Sequence, residues 1–357
     1  MRCVRPFSLG AGSIQAESLP ATTELLSTRH TKYDGQPGLF ITYVLAMQRA
    51  GFDLKAHVAE HRFIYKRRCV LASFSYGHRL VNELCGFRST SQIDALADPW
   101  SRDEIGAFLT RLSRSAYSSV DAFLERNVED IDLGKYLIAH TLKQKENPDR
   151  LFPPNSSGWY QYLFTRLLVE DRPEFEKNNL AIVTFNYDRS LEAYLDLVLQ
   201  NRFRMSSESA HEILAQLPIL HVHGILGSYP EVPYQPNTDS PSEVRRISQE
   251  IQIISEIADR DDGFCNAQFE QANQYLVEAG RIFFLGFGFN SNNIRRFRFF
   301  NKSNLEGKEI RATDQGFDGE VLREAFERFG EFGIDAGIFT HSAATCELFF
   351  HRVARLE

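Results

Sequence analysis

Cysteine is scarce in this sequence. Only Cys3, Cys69, Cys85, Cys265 and Cys346 occur in 357 residues, and no two stand in a C-x-x-C pair. That spacing excludes a zinc ribbon, offers no disulfide framework and fits a reducing compartment. Long apolar runs are missing too: none approaches the ~18 residues that a membrane helix needs. The first residues lack the apolar region of a signal peptide, so cytoplasm is the expected location. Positive charge is not in excess. A net charge of −7 argues against a nucleic-acid footprint spread over the whole surface, though not against a local patch. There is no internal repeat and no low-complexity tract. What remains is ordinary for a globular chain, with 43% apolar and 24% charged residues. The 29 phenylalanines imply a large aromatic core or an interface.

The most informative stretch is AIVTFNYDRSLE, Ala181–Glu192. Ala181–Phe185 is a short apolar run of the kind buried in a parallel sheet. Leu191, Tyr194, Leu195, Val198 and Leu199 then recur at helical spacing. Asn186 and Asp188 therefore fall in a strand-to-helix turn, the place where ligands bind in open α/β sheets. Asn and Asp are also ordinary turn formers, but similar turns recur. A strand over 3–9 runs into Gly10-Ala11-Gly12, where glycines let the backbone approach a ligand and aim free N–H groups at it. A strand at Pro218–Val222 ends at His223-Gly224. Arg281–Leu285 runs into Gly286-Phe287-Gly288-Phe289-Asn290, and Glu309–Thr313 ends at Asp314.

Between the first turn and residue 180 the pattern reads as helical. A helix is expected at 37–50, with Leu39, Tyr43, Met47 and Ala50 on one stripe, and almost continuous helix from 55 to 175. Ser101 and Glu104 have capping-box spacing, as do Ser209 and Glu212. Residues 227–241 carry Gly227 and four prolines and read as a long loop, a candidate lid. About six strands with helical crossovers imply an α/β fold, a Rossmann-like, doubly wound and mostly parallel sheet. Residues 1–50 and 178–357 would form it, with 51–177 as an inserted helical subdomain. Such a sheet gathers the special turns on one edge.

These residues resemble the sirtuin superfamily, in particular the bacterial sirtuin-like NADases of antiphage defence. LGAGSIQAESLP is similar to the opening motif of that branch, and SVDAFLE at 119–125 to its helical signature. TFNYDRSLE resembles the asparagine-aspartate turn, HVHG sets His223 on the catalytic histidine position, and LGFGFN resembles the later glycine turn, with Asn290 where Asp is common. Two positions depart from the pattern. Ile14 stands where a serine usually follows the GAG turn. Deacylating sirtuins carry a four-cysteine zinc module between the His turn and the glycine turn, whereas Cys265 is the only cysteine between 224 and 286. No metal is expected, and protein deacylation ranks last.

The resemblance implies NAD as substrate, bound by Gly10, Ala11, Gly12, Asp121, Asp188, Gly286, Phe287, Gly288, Asn290 and Asp314. Asn186 and His223 would be catalytic. The GAG turn would hold pyrophosphate through backbone N–H groups. Asn186 can bond ribose hydroxyls or hold a water, though it cannot act as a base. His223 can accept a proton near neutral pH. Asp188 suits either the nicotinamide amide or an N-cap on the following helix, Asp121 either the nicotinamide side of the cleft or a helix cap, and Asp314 either the adenosine ribose or a plain loop. His221 receives no role. Arg295, Arg296 and Arg298 read as a solvated helix face. The expected activity is cleavage of the nicotinamide–ribose bond to ADP-ribose or a cyclic form, gated by a homo-oligomer or by a separately encoded partner such as a HerA-type ATPase or a short Argonaute. The rival from another class is a module that senses NAD or ADP-ribose without turnover.

Overall fold

The computed structural model describes residues 44–47, 69–72, 76–86, 96, 99–117, 119–152, 158–236, 240–253, 264–287, 302–313, 327, 339–342 and 349. All lie in one compact unit, Phe40–Glu357. The fold is mixed α/β, with more helix than strand. Its strands are β1 (Val44–Met47), β2 (Cys69–Ala72), β3 (Ala181–Thr184), β4 (Ile219–His221), β5 (Arg281–Leu285), β6 (Glu309–Thr313) and β7 (Phe339–Ser342). They join in one seven-stranded sheet in which β1 is the antiparallel member. Parallel ladders link β3 to β4, β2 to β3, β2 to β5, β5 to β6 and β6 to β7.

β3 has all four residues buried, as a strand flanked on both edges and covered on both faces must be. Its register sets Ile182 against Ile219 and Thr184 against His221. Two strands correct the sequence reading. The stripe expected as a helix at 37–50 contains β1, and the stretch expected as continuous helix from 55 to 175 contains β2. Both have four residues, too few for a period of 2 to be told from 3.6. Strands β5 and β6 begin and end at the bounds expected from the sequence. The helix expected at 318–330 and the GAG turn lie outside the described residues.

Several helices begin where a serine can satisfy one of their first N–H groups. α1 is Tyr76–Leu84, and α2 is Arg102–Arg114. Ser101 caps α2 in a complete capping box: its N–H and hydroxyl both donate to Glu104 at 2.7 Å, and the Glu104 N–H donates back at 3.3 Å. α3 (Val120–Leu124) is capped by Ser119, whose Oγ accepts the Ala122 N–H at 3.0 Å. α4 (Ile131–Lys143) and α5 (Trp159–Leu167) follow, then α6 (Ser190–Phe203) directly after β3. α7 (Ser207–Leu214) is capped by Ser206 rather than by the expected Ser209, whose N–H donates to Ser206 Oγ at 3.3 Å. α8 (Pro241–Ser248) has Ser240 as its cap, with Pro at the first turn. α9 is Phe264–Glu278. Ile105, Phe108, Phe123, Leu137, Val244 and Ile247 belong to one apolar cluster contributed by α2, α3, α4 and α8, and Tyr187 packs against it.

The expected lid at 227–241 is tied down over 227–236. Arg189, at 0% exposure, sits at the start of α6. Its guanidinium donates to both carboxylate oxygens of Glu146 at 2.7 Å, to the Gly227 carbonyl at 3.1 Å and to the Val232 carbonyl. Lys143 Nζ reaches Glu146 at 2.6 Å and the Pro233 carbonyl at 3.0 Å. Val232 and Tyr234 are buried. Burial pushes the Glu146 carboxyl up from its ordinary range, and the charges of Arg189 and Lys143 oppose that push. Replacing Arg189 by Leu leaves Glu146 paired with Lys143 but without the guanidinium, and takes that donor from the Gly227 and Val232 carbonyls. Breaking a buried pair in this way costs about 3–5 kcal/mol. Urea unfolding of Arg189→Leu should show that loss, together with faster amide exchange across 227–233.

Candidate functional site

The parallel ladders align the carboxyl ends of β3, β4 and β5 on one edge of the sheet. Each strand ends in a turn that the sequence reading singled out. After β3 come Phe185 and Asn186, and the Asn186 N–H turns back to Thr184 Oγ1 at 3.1 Å. After β4 comes His223. The two turns are stitched together by backbone: the Val222 N–H donates to the Thr184 carbonyl at 3.0 Å, and the Leu226 N–H to the Tyr187 carbonyl at 2.8 Å. After β5 comes Gly286, whose N–H donates to Thr313 Oγ1 at the end of β6, at 2.6 Å.

Aromatic rings draw the three turns into one cluster. Phe185 lies 5.3 Å from the His223 ring and 5.5 Å from Phe287, centroid to centroid. Phe269 of α9 meets His223 edge-on at 5.7 Å. Phe185, His223, Phe269 and Phe287 are all buried. The imidazole therefore stands in a largely apolar wall, where polar contacts are strengthened by exclusion of water.

Asn186 is 6% exposed, and its Nδ2 is a buried donor without a hydrogen-bond partner among the described residues. An unsatisfied buried donor costs about 1–3 kcal/mol, so this one calls for an explanation. Its own carbonyl is occupied. It accepts from His221 Nδ1 at 2.7 Å, while His221 Nε2 lies 2.7 Å from Glu192 Oε1 on α6. Burial opposes charge on His221, but the Glu192 carboxylate, the two hydrogen bonds and the nearby Asp188 outweigh it and raise its pKa above the usual imidazole value. His221 and His223 thus part company. β4 ends at His221, so the alternation that would put both on one face stops between them.

Gly224 explains why a glycine follows His223. Its φ is +79°, and a Cβ there would lie 2.0 Å from the Glu250 carbonyl oxygen. The glycine admits the segment after α8 as an antiparallel neighbour: Gly224 pairs with Ile251, the Ile225 N–H donates to the Glu250 carbonyl at 3.3 Å, and the Gln252 N–H to the His223 carbonyl at 2.9 Å.

Asp121 joins this group from the helical region. Ser119, not Asp121, caps α3. Asp121 Oδ1 instead accepts the Tyr187 hydroxyl at 2.8 Å, and the same hydroxyl lies 3.4 Å from the Gln252 carbonyl. Asp188 turns toward the start of α6. Its Oδ1 accepts the Ser190 N–H at 3.1 Å and also the Ser190 hydroxyl, which in turn meets Tyr160 Oη at 2.8 Å. That is an Asx-turn leading into α6, whose N-cap is Arg189, and not the N-cap expected of Asp188. Burial pushes its carboxyl above the ordinary range, and the bonds from Ser190 pull against it. Phe287 is fully buried and packs in the wall. Gly10, Ala11, Gly12, Gly288, Asn290 and Asp314 lie outside the described residues. So do Arg295, Arg296 and Arg298.

Sequence reasoning missed Arg189, the His221–Glu192 pair, Phe269 and Gln252. Only Arg189 carried a signal, as a charge immediately after the Asn-Tyr-Asp turn. Among the described residues no group of three or more His, Cys, Asp or Glu could hold a metal ion, and no helix is long and apolar enough to cross a membrane. No family model, curated protein or solved structure matches the chain.

Two measurements check this geometry. Gly224→Ala forces a positive φ and a backbone clash together, so a loss of about 2–3 kcal/mol or more is expected on urea unfolding, with faster exchange of the Ile225 and Gln252 amides. The raised His221 pKa makes the folded chain hold more protons than the unfolded one. That contribution to stability is complete below pH ~6.5 and is lost as pH rises through the raised value. Urea unfolding between pH 6 and pH 9 should therefore show wild type falling more steeply than His221→Gln.

Proposed function

We propose that the chain is an NAD glycohydrolase that releases nicotinamide and leaves ADP-ribose or a cyclic form. The observation that carries this is the buried Asn186 Nδ2, without a partner among the described residues, held in the turn after β3 and stitched to the turn of His223. It offers a donor to a ligand beside a group that can take a proton.

Other features support the reading. The parallel ladders run β4-β3-β2-β5-β6-β7, an order that reverses between β2 and β5. A Rossmann-like, doubly wound sheet has this order and binds ligands at the reversal, outside the carboxyl ends of its strands. The bond from Asp121 to Tyr187 fits a helical region, following β2, that reaches the site. The sequence motifs supply the sirtuin-like resemblance, and the missing four-cysteine module argues against deacylation.

The chemistry follows from the substrate. In NAD the glycosidic bond breaks with its electron pair passing to the pyridinium nitrogen, so nicotinamide leaves neutral and needs little acid help. The ribosyl carbon becomes an oxocarbenium-like cation. Asn186 would fix a ribose hydroxyl or the attacking water through Nδ2–H. Water adds to the cation, and its proton passes to the His223 imidazole. If a ribose hydroxyl attacks instead, the same imidazole takes that proton and the product is cyclic. Phe185, Phe269 and Phe287 would keep stray water from the imidazole.

An NADase that ran unchecked would exhaust its host, so control by self-association or by a separate partner belongs to this reading. Nicotinamide release from NAD by the purified chain should be measured together with its size in solution. Asn186→Ala and His223→Ala should each lower turnover about 100-fold or more. Equal activity in all three proteins would end the assignment. Tight NAD or ADP-ribose binding with no nicotinamide released would identify a sensing module in its place.

A further inference from the structure

We infer that Gln252 contacts the ligand, its side-chain oxygen accepting an N–H or O–H from the same molecule that Asn186 engages. The inference rests on the NAD reading for the identity of the ligand, but its geometry is independent of that reading.

Gln252 lies in the segment after α8 that runs antiparallel to the end of β4. Gly224 and Ile251 form an isolated antiparallel bridge, and the Gln252 N–H donates to the His223 carbonyl at 2.9 Å, so Gln252 lies beside the His223 turn. Ile251 and Ile253 are both fully buried in the helical apolar cluster, so Gln252, between them, faces the other way. Its Oε1 is nevertheless buried and has no hydrogen-bond partner among the described residues.

Two buried polar atoms without partners thus belong to neighbouring turns. One is a donor, Asn186 Nδ2, and the other an acceptor, Gln252 Oε1. Each is tied by backbone to the same few residues: Asn186 through its carbonyl to His221, Gln252 through its N–H to His223. The hydroxyl of Tyr187, next to Asn186, lies 3.4 Å from the Gln252 carbonyl. A ligand that brings one acceptor and one donor would satisfy both atoms. In NAD the carboxamide of nicotinamide and the ribose hydroxyls have that chemistry.

The full chain, Gln252→Leu and Gln252→Glu should be compared for NAD turnover, NAD binding by calorimetry and melting temperature. Leucine removes the acceptor and glutamate keeps an oxygen in its place. Gln252→Leu should raise KM for NAD about tenfold with kcat within about threefold, as loss of a ground-state contact does, and Gln252→Glu should recover most of the loss. If Gln252→Leu also loses the preference for NAD over its nicotinic acid analogue, the contact is to the carboxamide. An unchanged preference, with both substrates weakened, puts it on a ribose hydroxyl. Wild-type KM and binding in Gln252→Leu would overturn the role of Gln252 and leave the NAD reading standing. Equal losses in both variants with a lowered melting temperature would make Gln252 structural and overturn it as well. NAD binding without turnover, weakened in Gln252→Leu, would uphold Gln252 and remove the hydrolase. A wild-type chain that neither binds nor cleaves NAD would overturn both.

Discussion

A guanidinium with no solvent contact holds this structure together around its candidate site. Arg189 follows the Asn-Tyr-Asp turn and starts α6. It reaches Glu146 in the helical region and the carbonyls of Gly227 and Val232 beyond the His223 turn. Three parts of the chain that are distant in sequence therefore depend on one side chain. Removing such a charge from water is costly, and attraction to a single carboxylate seldom offsets the cost. Here the carboxylate is bidentate, Lys143 shares it, and backbone carbonyls take further donors. Arg suits this duty better than Lys because its planar fork serves several acceptors at once. An apolar replacement could fill the volume but could not fix where the 227–233 segment lies relative to the turn.

The two histidines of HVHG show how a strand end divides labour. His221 is the last residue of β4 and keeps the orientation that the strand dictates. It bridges Glu192 and the Asn186 carbonyl, and so fixes the turn that carries the Asn186 amide. His223 lies beyond the strand, where the chain bends through Gly224, and the rings of Phe185 and Phe269 pack against it. The buried ion pair sets the backbone of the site, while the second imidazole is left among aromatic neighbours. Spacing alone suggested that both point the same way, and it gave no reason to prefer one. The glycine after His223 was the deciding residue, because its positive φ and the close approach of Glu250 mark where regular pairing stops.

Legibility in the sequence followed length and local chemistry. β5 was readable as an apolar run bounded by turn-forming residues, and β6 because buried Ile310 and Ala312 alternate with Glu309 and Arg311. The capping box at Ser101 was readable because both partners sit within one turn of helix. β1 and β2 were not, since four residues carry no usable period. Their strand character comes from partners far along the chain. The cap of α7 slipped to Ser206 because several serines in a row offer the same hydroxyl. The turn positions of Asn186 and His223, just past the ends of β3 and β4, were legible. Asp121 was legible as a residue but not as a contact, since its partner Tyr187 lies 66 positions away. Gln252 was invisible: a glutamine between two isoleucines announces nothing until the opposite strand is known.

The unsatisfied atoms and the aromatic wall are two faces of one constraint. A dry pocket strengthens any hydrogen bond made inside it and penalises any bond left unmade. Among the described residues Asn186 Nδ2 is buried without a partner, at the cost of stability, although water-exposed placement would satisfy it. It spends structure elsewhere, in the Arg189 cluster and the His221–Glu192 pair, to hold that arrangement. Folding alone gives no reason for such an expense, because a leucine or a self-satisfied turn would serve the core better. Ligand binding does give one, since the bonds missing in the free chain are then formed in the complex and add to affinity in full. The same logic suits a cationic transition state. Fixed dipoles in a water-poor wall can orient an attacking oxygen without the reorganisation that solvent would require. The site therefore reads as a place where stability has been traded for preorganisation, and the polar atoms left without partners mark where the exchange was made.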